Sequence, residues 1–231
     1  YNIGTLYDRG KGVTEDNVLA VEWYRKAADQ GFADAQANLG AMYSSGEGVN
    51  QDLAEAAAWF RKAAEQGLPI GQSNLGAVYL FGLGVEKDFV EAAEWLRKAA
   101  KQGHPEAQYN LGVMYGQGIG VKQNVFGAMS WYRKSAEQGN GKALLNLGTI
   151  YANGRGVKKD MVEAKSHYGS ACANKIQQGC IYSVPYPNLT LPTKRIVLNP
   201  SVPSPVQKKQ KITTLRQART TVRRRQYQHN G

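Results

Sequence analysis

A stretch of twelve residues, NLGAMYSSGEGV from Asn38 to Val49, recurs along the chain at a fixed step of 36 residues. It returns as NIGTLYDRGKGV, NLGAVYLFGLGV, NLGVMYGQGIGV and NLGTIYANGRGV, which begin at Asn2, Asn74, Asn110 and Asn146. A second block keeps the same step, as AVEWYRKAADQG, AAAWFRKAAEQG, AAEWLRKAAKQG and AMSWYRKSAEQG, beginning at Ala20, Ala56, Ala92 and Ala128. A period of this length is typical of a solenoid, in which each unit buries its apolar face against its neighbours.

The first block of each unit has the pattern of an amphipathic helix, placed over residues 34–45 in the second unit. Its apolar residues recur at helical spacing, at Ala35, Leu39, Met42 and Tyr43. Gly40 lies inside this helix, where glycine costs about 1 kcal/mol relative to alanine, so we expect a neighbouring helix to approach closely there. Gly46-x-Gly48 follows, and we expect a left-handed residue to end the helix at that point.

The second block predicts a second helix over residues 53–65. Asp52 has the position of its N-cap, and Glu55, three residues later, completes the sequence of a capping box. Trp59 falls on the apolar stripe and is expected in the core, as are its equivalents in the other units. Arg61 and Lys62 fall on the outer face.

This unit, A-x-x-W-Y-R-K-A-A-x-Q-G followed by A-x-A-Q-x-N-L-G-x-x-Y-x-x-G-x-G-V, resembles the Sel-1-like repeat family, whose members are relatives of the tetratricopeptide repeats. The resemblance covers residues 1–182. It implies an all-α fold, a right-handed α-solenoid of two-helix (αα-hairpin) repeats of 36 residues, with about five repeats and the first one truncated. It also implies an adaptor for other proteins, most often in bacteria.

The fifth unit departs from the pattern. His167 takes the tryptophan position and Lys175 the position of a glycine. Cys172 and Cys180, the only two cysteines, would lie about 12 Å apart on one helix, but a turn near residues 174–178 should fold them together. The cysteine-rich branch of the family has an A-C-x7-C bridge here, which implies a disulfide and a periplasmic or secreted protein. Two buried free thiols are the alternative.

The last segment, residues 183–231, has a different composition. It contains ten of the lysines and arginines, no acidic residue and clustered prolines, so we expect a disordered, strongly basic tail without a packed core. A second interpretation is an anion-binding arm for an acidic membrane or nucleic acid, with Ile212, Leu215 and Val222 among Arg216, Arg219 and Arg223 to Arg225. Because the chain begins within a repeat, we also expect a fragment whose signal peptide, if any, lies upstream.

Motifs for catalysis or metal binding are missing from the sequence. The three histidines are scattered without metal-ligand spacing, and the Gly-x-Gly loops do not form a phosphate-binding G-x-G-x-x-G or end in Gly-Lys-Ser/Thr. Some members of the family have been labelled β-lactam hydrolases, but neither S-x-x-K nor K-T-G occurs. The sequence therefore predicts a protein that is not an enzyme and has no metal or cofactor.

The favoured function is a monomeric scaffold that binds a protein or peptide in the concave groove lined by the first helices. The alternatives are a cell-wall or β-lactam-related hydrolase and an anion binder acting through the tail. Positions that vary between repeats are candidate contacts, and those that stay constant, Asn38 among them, are read as structural. The groove candidates are Ala41, Ser44, Ser73, Ala77, Leu80, Tyr109, Val113, Leu145, Thr149 and Ala152, with Tyr109 near the centre. Alternatively, some of them only fill gaps between repeats.

Overall fold

The computed structural model describes residues 1–183, and within this range every regular element is an α-helix. Residues 184–231 lie outside the described part, together with the interpretations placed on the basic tail. The eleven helices of the described range are α1 (Asn2–Arg9), α2 (Asn17–Asp29), α3 (Ala33–Ser45), α4 (Leu53–Glu65), α5 (Pro69–Phe81), α6 (Phe89–Lys101), α7 (Pro105–Gln117), α8 (Val125–Glu137), α9 (Gly141–Asn153), α10 (Met161–Ala173) and α11 (Gln177–Ser183). The two helices predicted for each unit are confirmed. None of the described helices is long and apolar enough to cross a membrane.

The two glycines of the Gly-x-Gly sequence after each first helix are required for different reasons. Gly46 ends α3 in the left-handed conformation, with φ 71°, as predicted, and the corresponding glycine ends α1, α5, α7 and α9 in the same way. Gly48 is needed for a different reason, because a Cβ atom there would lie 2.0 Å from the backbone oxygen of Asn17, the first residue of α2. The loop of each repeat therefore rests on the start of the preceding second helix.

The glycine inside each first helix marks a close contact with the second helix of its own repeat. A Cβ atom on Gly40 would lie 2.8 Å from the ring of Phe60, and one on Gly112 would lie 2.7 Å from the ring of Tyr132. The expected close approach is confirmed. The partner is the residue directly after the tryptophan position, and it is fully buried in each repeat, as Tyr24, Phe60, Leu96, Tyr132 and Tyr168.

The tryptophans occupy a shallower position than predicted. Trp59 and Trp95 are buried, at 5% and 9% exposure, but Trp23 and Trp131 are only half-buried. Their outer faces are covered by lysines, as where the Lys62 ammonium lies 3.7 Å from the centre of the Trp59 ring. The prediction that all four tryptophans lie in the core is thus wrong for Trp23 and Trp131. The residue after each tryptophan, rather than the tryptophan itself, packs against the glycine of the first helix.

The predicted capping box is also half wrong. The carboxylate of Asp52 accepts hydrogen bonds from the backbone N–H groups of Ala54 and Glu55, as an N-cap should. The side chain of Glu55, however, accepts a hydrogen bond of 2.8 Å from the indole N–H of Trp59. It therefore satisfies a buried donor one turn further along rather than the N-cap residue.

Glutamines join successive repeats. The Gln72 side chain donates to the backbone oxygen of Ala64 at 3.3 Å and accepts from Gln102 at 2.8 Å, and the same arrangement recurs one repeat earlier and one repeat later. In the last repeat, Cys172 and Cys180 form a disulfide, with their Cα atoms 4.5 Å apart across the turn between α10 and α11. The structure thus has the bridge rather than two free thiols.

First helices of successive repeats also contact one another, as α3 contacts α5 and α5 contacts α7. From the second repeat onwards the first helices bury more of their residues than the second helices do. The surface that they share is called the inner face below.

Candidate functional site

The inner face can be located from side-chain contacts between α7 and α9. Lys142 on α9 lies 3.7 Å from the carboxylate of Glu106 on α7, and both side chains are about one-third exposed. One turn further along each helix come Asn110 and Asn146, and beyond them Val113 and Thr149. In the second to fifth repeats, four rows of residues line the inner face, of which Ala77, Asn110, Val113 and Asn146 are buried: Asp34, Ile70, Glu106 and Lys142; Asn38, Asn74, Asn110 and Asn146; Ala41, Ala77, Val113 and Thr149; Ser45, Phe81, Gln117 and Asn153.

The ten predicted groove residues divide into two groups by exposure. Ala41 is exposed and Thr149 is half-buried, so both can be reached from the inner face. The other eight are buried, namely Ser44, Ser73, Ala77, Leu80, Tyr109, Val113, Leu145 and Ala152. Their burial fits the alternative of gap filling between repeats, and any contact of these eight with a partner stays a prediction.

Tyr109, predicted near the groove centre, packs between the fourth and fifth repeats. It is 1% exposed, and its ring centre lies 6.0 Å from that of Tyr132. The ammonium group of Lys142 lies 5.8 Å from the ring centre, on the side of the inner face. Burial, with the nearby Glu106 carboxylate, strongly raises the pKa of Tyr109, so its hydroxyl is neutral. A ligand could contact Tyr109 only after Lys142 and its neighbours moved.

The asparagines of the second row carry amide hydrogen-bond donors, although the sequence analysis interpreted these residues as structural. The Nδ2 atom of Asn110 is buried and has no hydrogen-bond partner within the described residues. The Nδ2 atom of Asn146 also has no hydrogen bond of ordinary geometry, although its amide acts on the hydroxyl groups of both Tyr109 and Tyr132 and opposes the rise in their pKa values. A buried donor without a partner costs about 1–3 kcal/mol, so the Nδ2 atom of Asn110 does not stabilise the fold through a hydrogen bond. In the sequence, the signal that could have drawn attention to these asparagines was their recurrence every 36 residues.

Ionisable groups with shifted pKa values do not form a catalytic arrangement. The imidazole of His104 caps α7 by accepting a hydrogen bond of 3.3 Å from the backbone of Ala107, and burial lowers its pKa. His167 occupies the tryptophan position and pairs with Glu163 at 3.3 Å, and burial lowers its pKa as well. In the described range, no three His, Cys, Asp or Glu side chains are grouped so that they could hold a metal ion.

Comparison with known proteins places these helices in one family. The family model described as "Sel1 repeat" matches five times, at residues 1–32, 33–68, 69–104, 105–140 and 141–175. None of the curated proteins that were compared matches the chain.

Two solved structures share about two-fifths of their residues with the matched part of this chain. One is the protective antigen c5321 of uropathogenic Escherichia coli, which displays an SLR fold (41% identity, TM-score 0.73, 79% of this chain). The chain spans only 39% of the length of that protein. The other is a Sel1 repeat protein from Oxalobacter formigenes (39% identity, TM-score 0.73), where the match covers 77% of this chain and 71% of that protein. The immunity protein Pa5087 of Pseudomonas aeruginosa, 23% identical with a TM-score of 0.55, shares the fold.

Proposed function

Because the chain belongs to the Sel1 repeat family, we propose that it is a non-enzymatic scaffold that binds a protein or peptide segment along the inner face. Proteins of this family are generally protein-interaction scaffolds. The observation that supports the proposal most directly is the buried amide donor of Asn110, which has no hydrogen-bond partner among the described residues, with the equivalent Asn146 beside it.

The chemistry of the inner face suits a peptide better than an apolar or strongly charged ligand. Each asparagine amide can donate through Nδ2 and accept through Oδ1, which matches the carbonyl and N–H groups of a peptide backbone. Glu106 and Lys142 add one carboxylate and one ammonium group at the edge of the same face. Because exposed ion pairs contribute only about 0–1 kcal/mol, a ligand could separate this pair at little cost.

The periplasm or the outside of the cell is the location we propose. The disulfide between Cys172 and Cys180 supports it, since such bonds persist mainly in oxidising compartments. The hydrolase alternative gains no support from the described residues. The anion-binding arm falls outside the described residues.

Selection of peptides against the immobilised protein tests the proposal. Peptides enriched from a random displayed library should bind the unaltered protein and lose affinity for the double variant Asn110→Ala/Asn146→Ala. With about 1 kcal/mol for each lost hydrogen bond, the dissociation constant should rise by a factor of about 30. The control is Asn50→Ala, in an exposed loop, which should leave the affinity unchanged.

The single variant Asn110→Ala should keep its stability, because the Nδ2 atom of Asn110 has no hydrogen-bond partner in the fold, whereas the Asn146 amide also faces the hydroxyl groups of Tyr109 and Tyr132. Thermal unfolding followed by circular dichroism checks this, so a loss of affinity can be separated from a loss of structure. If the enriched peptides bind the folded double variant as tightly as the unaltered protein, the inner face at the fourth and fifth repeats is not the binding site.

A further inference from the structure

The loops between first and second helices form a continuous ridge on one side of the solenoid. We call it the loop edge, and it consists of residues 10–18, 46–54, 82–90, 118–126 and 154–162. Each loop rests on the start of the preceding second helix, since a Cβ atom on Gly84 would lie 2.2 Å from the backbone of Leu53 and one on Gly120 would lie 2.0 Å from that of Phe89. Equivalent residues of successive loops therefore follow one another along the ridge.

One apolar side chain is exposed at the same position of the loop edge in every repeat, beside the less exposed Val13, Phe89 and Met161. It belongs to the second residue of each second helix, and its exposure is 57% at Val18, 60% at Val90, 67% at Phe126 and 81% at Val162. Ala54 has this place in the second repeat and is exposed as well. The N-caps do not require apolar residues here, because Asp16, Asp52, Asp88, Asn124 and Asp160 bind the helix starts through their side chains. Single exposed apolar residues are common on soluble proteins, so it is the fixed spacing along one edge that distinguishes this row.

The charge of the loop edge reverses along its length. The first three loops carry the carboxylates of Glu15, Asp16, Glu47, Asp52, Glu86 and Asp88, opposed only by Lys11 and Lys87. The last two loops carry Lys122, Arg155, Lys158 and Lys159, opposed only by Asp160. The edge is therefore acidic at one end and basic at the other, with the same spacing of apolar residues throughout.

We propose that the loop edge joins two copies of this chain in an antiparallel dimer. In that arrangement the two-fold axis passes near Val90, the first repeat of one copy faces the fifth repeat of the other, and the second repeat faces the fourth. Each acidic loop of the first two repeats then meets a basic loop, the two apolar rows meet along the axis, and the third loop, with Glu86, Lys87 and Asp88, faces the same loop of the other copy. A parallel arrangement would instead place like charges opposite each other.

Self-complementarity is what identifies the occupant as a second copy. An isologous interface requires a surface that matches itself after a two-fold rotation. The evenly spaced apolar residues of the loop edge can face the same residues of a second copy. The charges of the loop edge change sign from one end to the other, so they are complementary only to a second copy that runs in the opposite direction. The surface lies apart from the inner face, so the proposal is independent of the proposed function. It replaces the monomer expected from the sequence.

Sedimentation equilibrium of the full chain tests the dimer. We expect a monomer–dimer equilibrium whose dissociation constant rises with salt, because the charged contacts are exposed. Phe126→Glu and Val90→Glu should each raise that constant at least about tenfold, whereas Ala58→Glu, on an exposed site of α4 away from the loop edge, should not change it. Circular dichroism verifies that each variant folds.

A charge exchange tests the antiparallel register. Glu15→Lys and Lys158→Glu should each weaken the dimer, because each places like charges opposite each other. The two changes in one chain should restore it, because the new lysine at position 15 of one copy then faces the new glutamate at position 158 of the other. Asp16 is left unchanged because it caps α2. A chain that stays monomeric at all concentrations, a dimer insensitive to Phe126→Glu, or a double exchange that does not restore association would overturn the proposal.

Discussion

Replacing Gly112 by alanine tests the packing between the two helices of a repeat. A helical glycine normally costs about 1 kcal/mol relative to alanine, so the substitution should stabilise α7 if nothing lay nearby. The new methyl group, however, would lie 2.7 Å from two ring atoms of Tyr132, a side chain with no exposed surface. The ring would have to move by more than half an ångström within a packed core, and overpacking of this kind costs about 1–3 kcal/mol. We therefore expect a net loss of about 1 kcal/mol.

Gly169→Ala is the matched control. Gly169 lies inside α10, and a Cβ atom there would meet nothing within 4 Å. The same substitution should thus stabilise the protein by about 1 kcal/mol, the full difference in helix propensity. Urea unfolding followed by circular dichroism gives both free energies of unfolding. If Gly112→Ala proves as stable as Gly169→Ala, the close approach of α7 and α8 does not explain the glycine.

Three further outcomes follow from other contacts. Lys175→Gly should stabilise the protein by about 1 kcal/mol, because Lys175 has a φ of 64°, where a residue with a side chain is strained. Thermal unfolding measures this gain, and an unchanged stability would mean that Lys175 does not strain the turn. Gln72→Leu should destabilise the protein by about 1–2 kcal/mol, because the buried Gln72 side chain would lose its hydrogen bonds to the backbone oxygen of Ala64 and from Gln102; equal stability would show that these bonds do not contribute. Raising the pH should lower the free energy of unfolding between about pH 10 and 12, because burial and Asp8 raise the pKa of Tyr24 to about 12, so stability present below pH 10 is lost as the pH rises through the folded value; a free energy of unfolding that stays constant over this range would contradict this.

The fold could be predicted almost completely because the repeat supplies the same information five times. The helix bounds, the left-handed glycine after each first helix and the contact at the internal glycine all follow from one period. What could not be predicted was which of two adjacent large residues, Trp59 or Phe60, faces Gly40. Both are apolar and differ in direction by one helix position, about 100°. The choice depends on the angle at which the two helices pack, and the period does not contain that angle.

The candidate site was harder to predict because variation between repeats has two causes. A position varies if it contacts a partner, and it also varies if it fills a gap whose size differs from repeat to repeat. Tyr109 and Leu145 are buried, so truncating either would first weaken the core. Asn110, by contrast, recurs without change, and its Nδ2 atom has no hydrogen-bond partner among the described residues. Neither variation nor constancy by itself therefore separates a contact residue from a structural one.

The disulfide of the last repeat is the covalent counterpart of a hydrogen bond found in the earlier repeats. Gln36 donates to the backbone oxygen of Ala28, eight residues earlier, at 3.1 Å, and the next two repeats repeat that bond. Cys180 and Cys172 have these same two positions, 144 residues further along, so the turn had already brought them together. The bridge thus fixes a geometry that the hairpin imposes, and it does so in the repeat where Lys175 strains the turn. The covalent bond thus offsets the strain of a lysine in a left-handed turn, a position that is glycine in the earlier repeats.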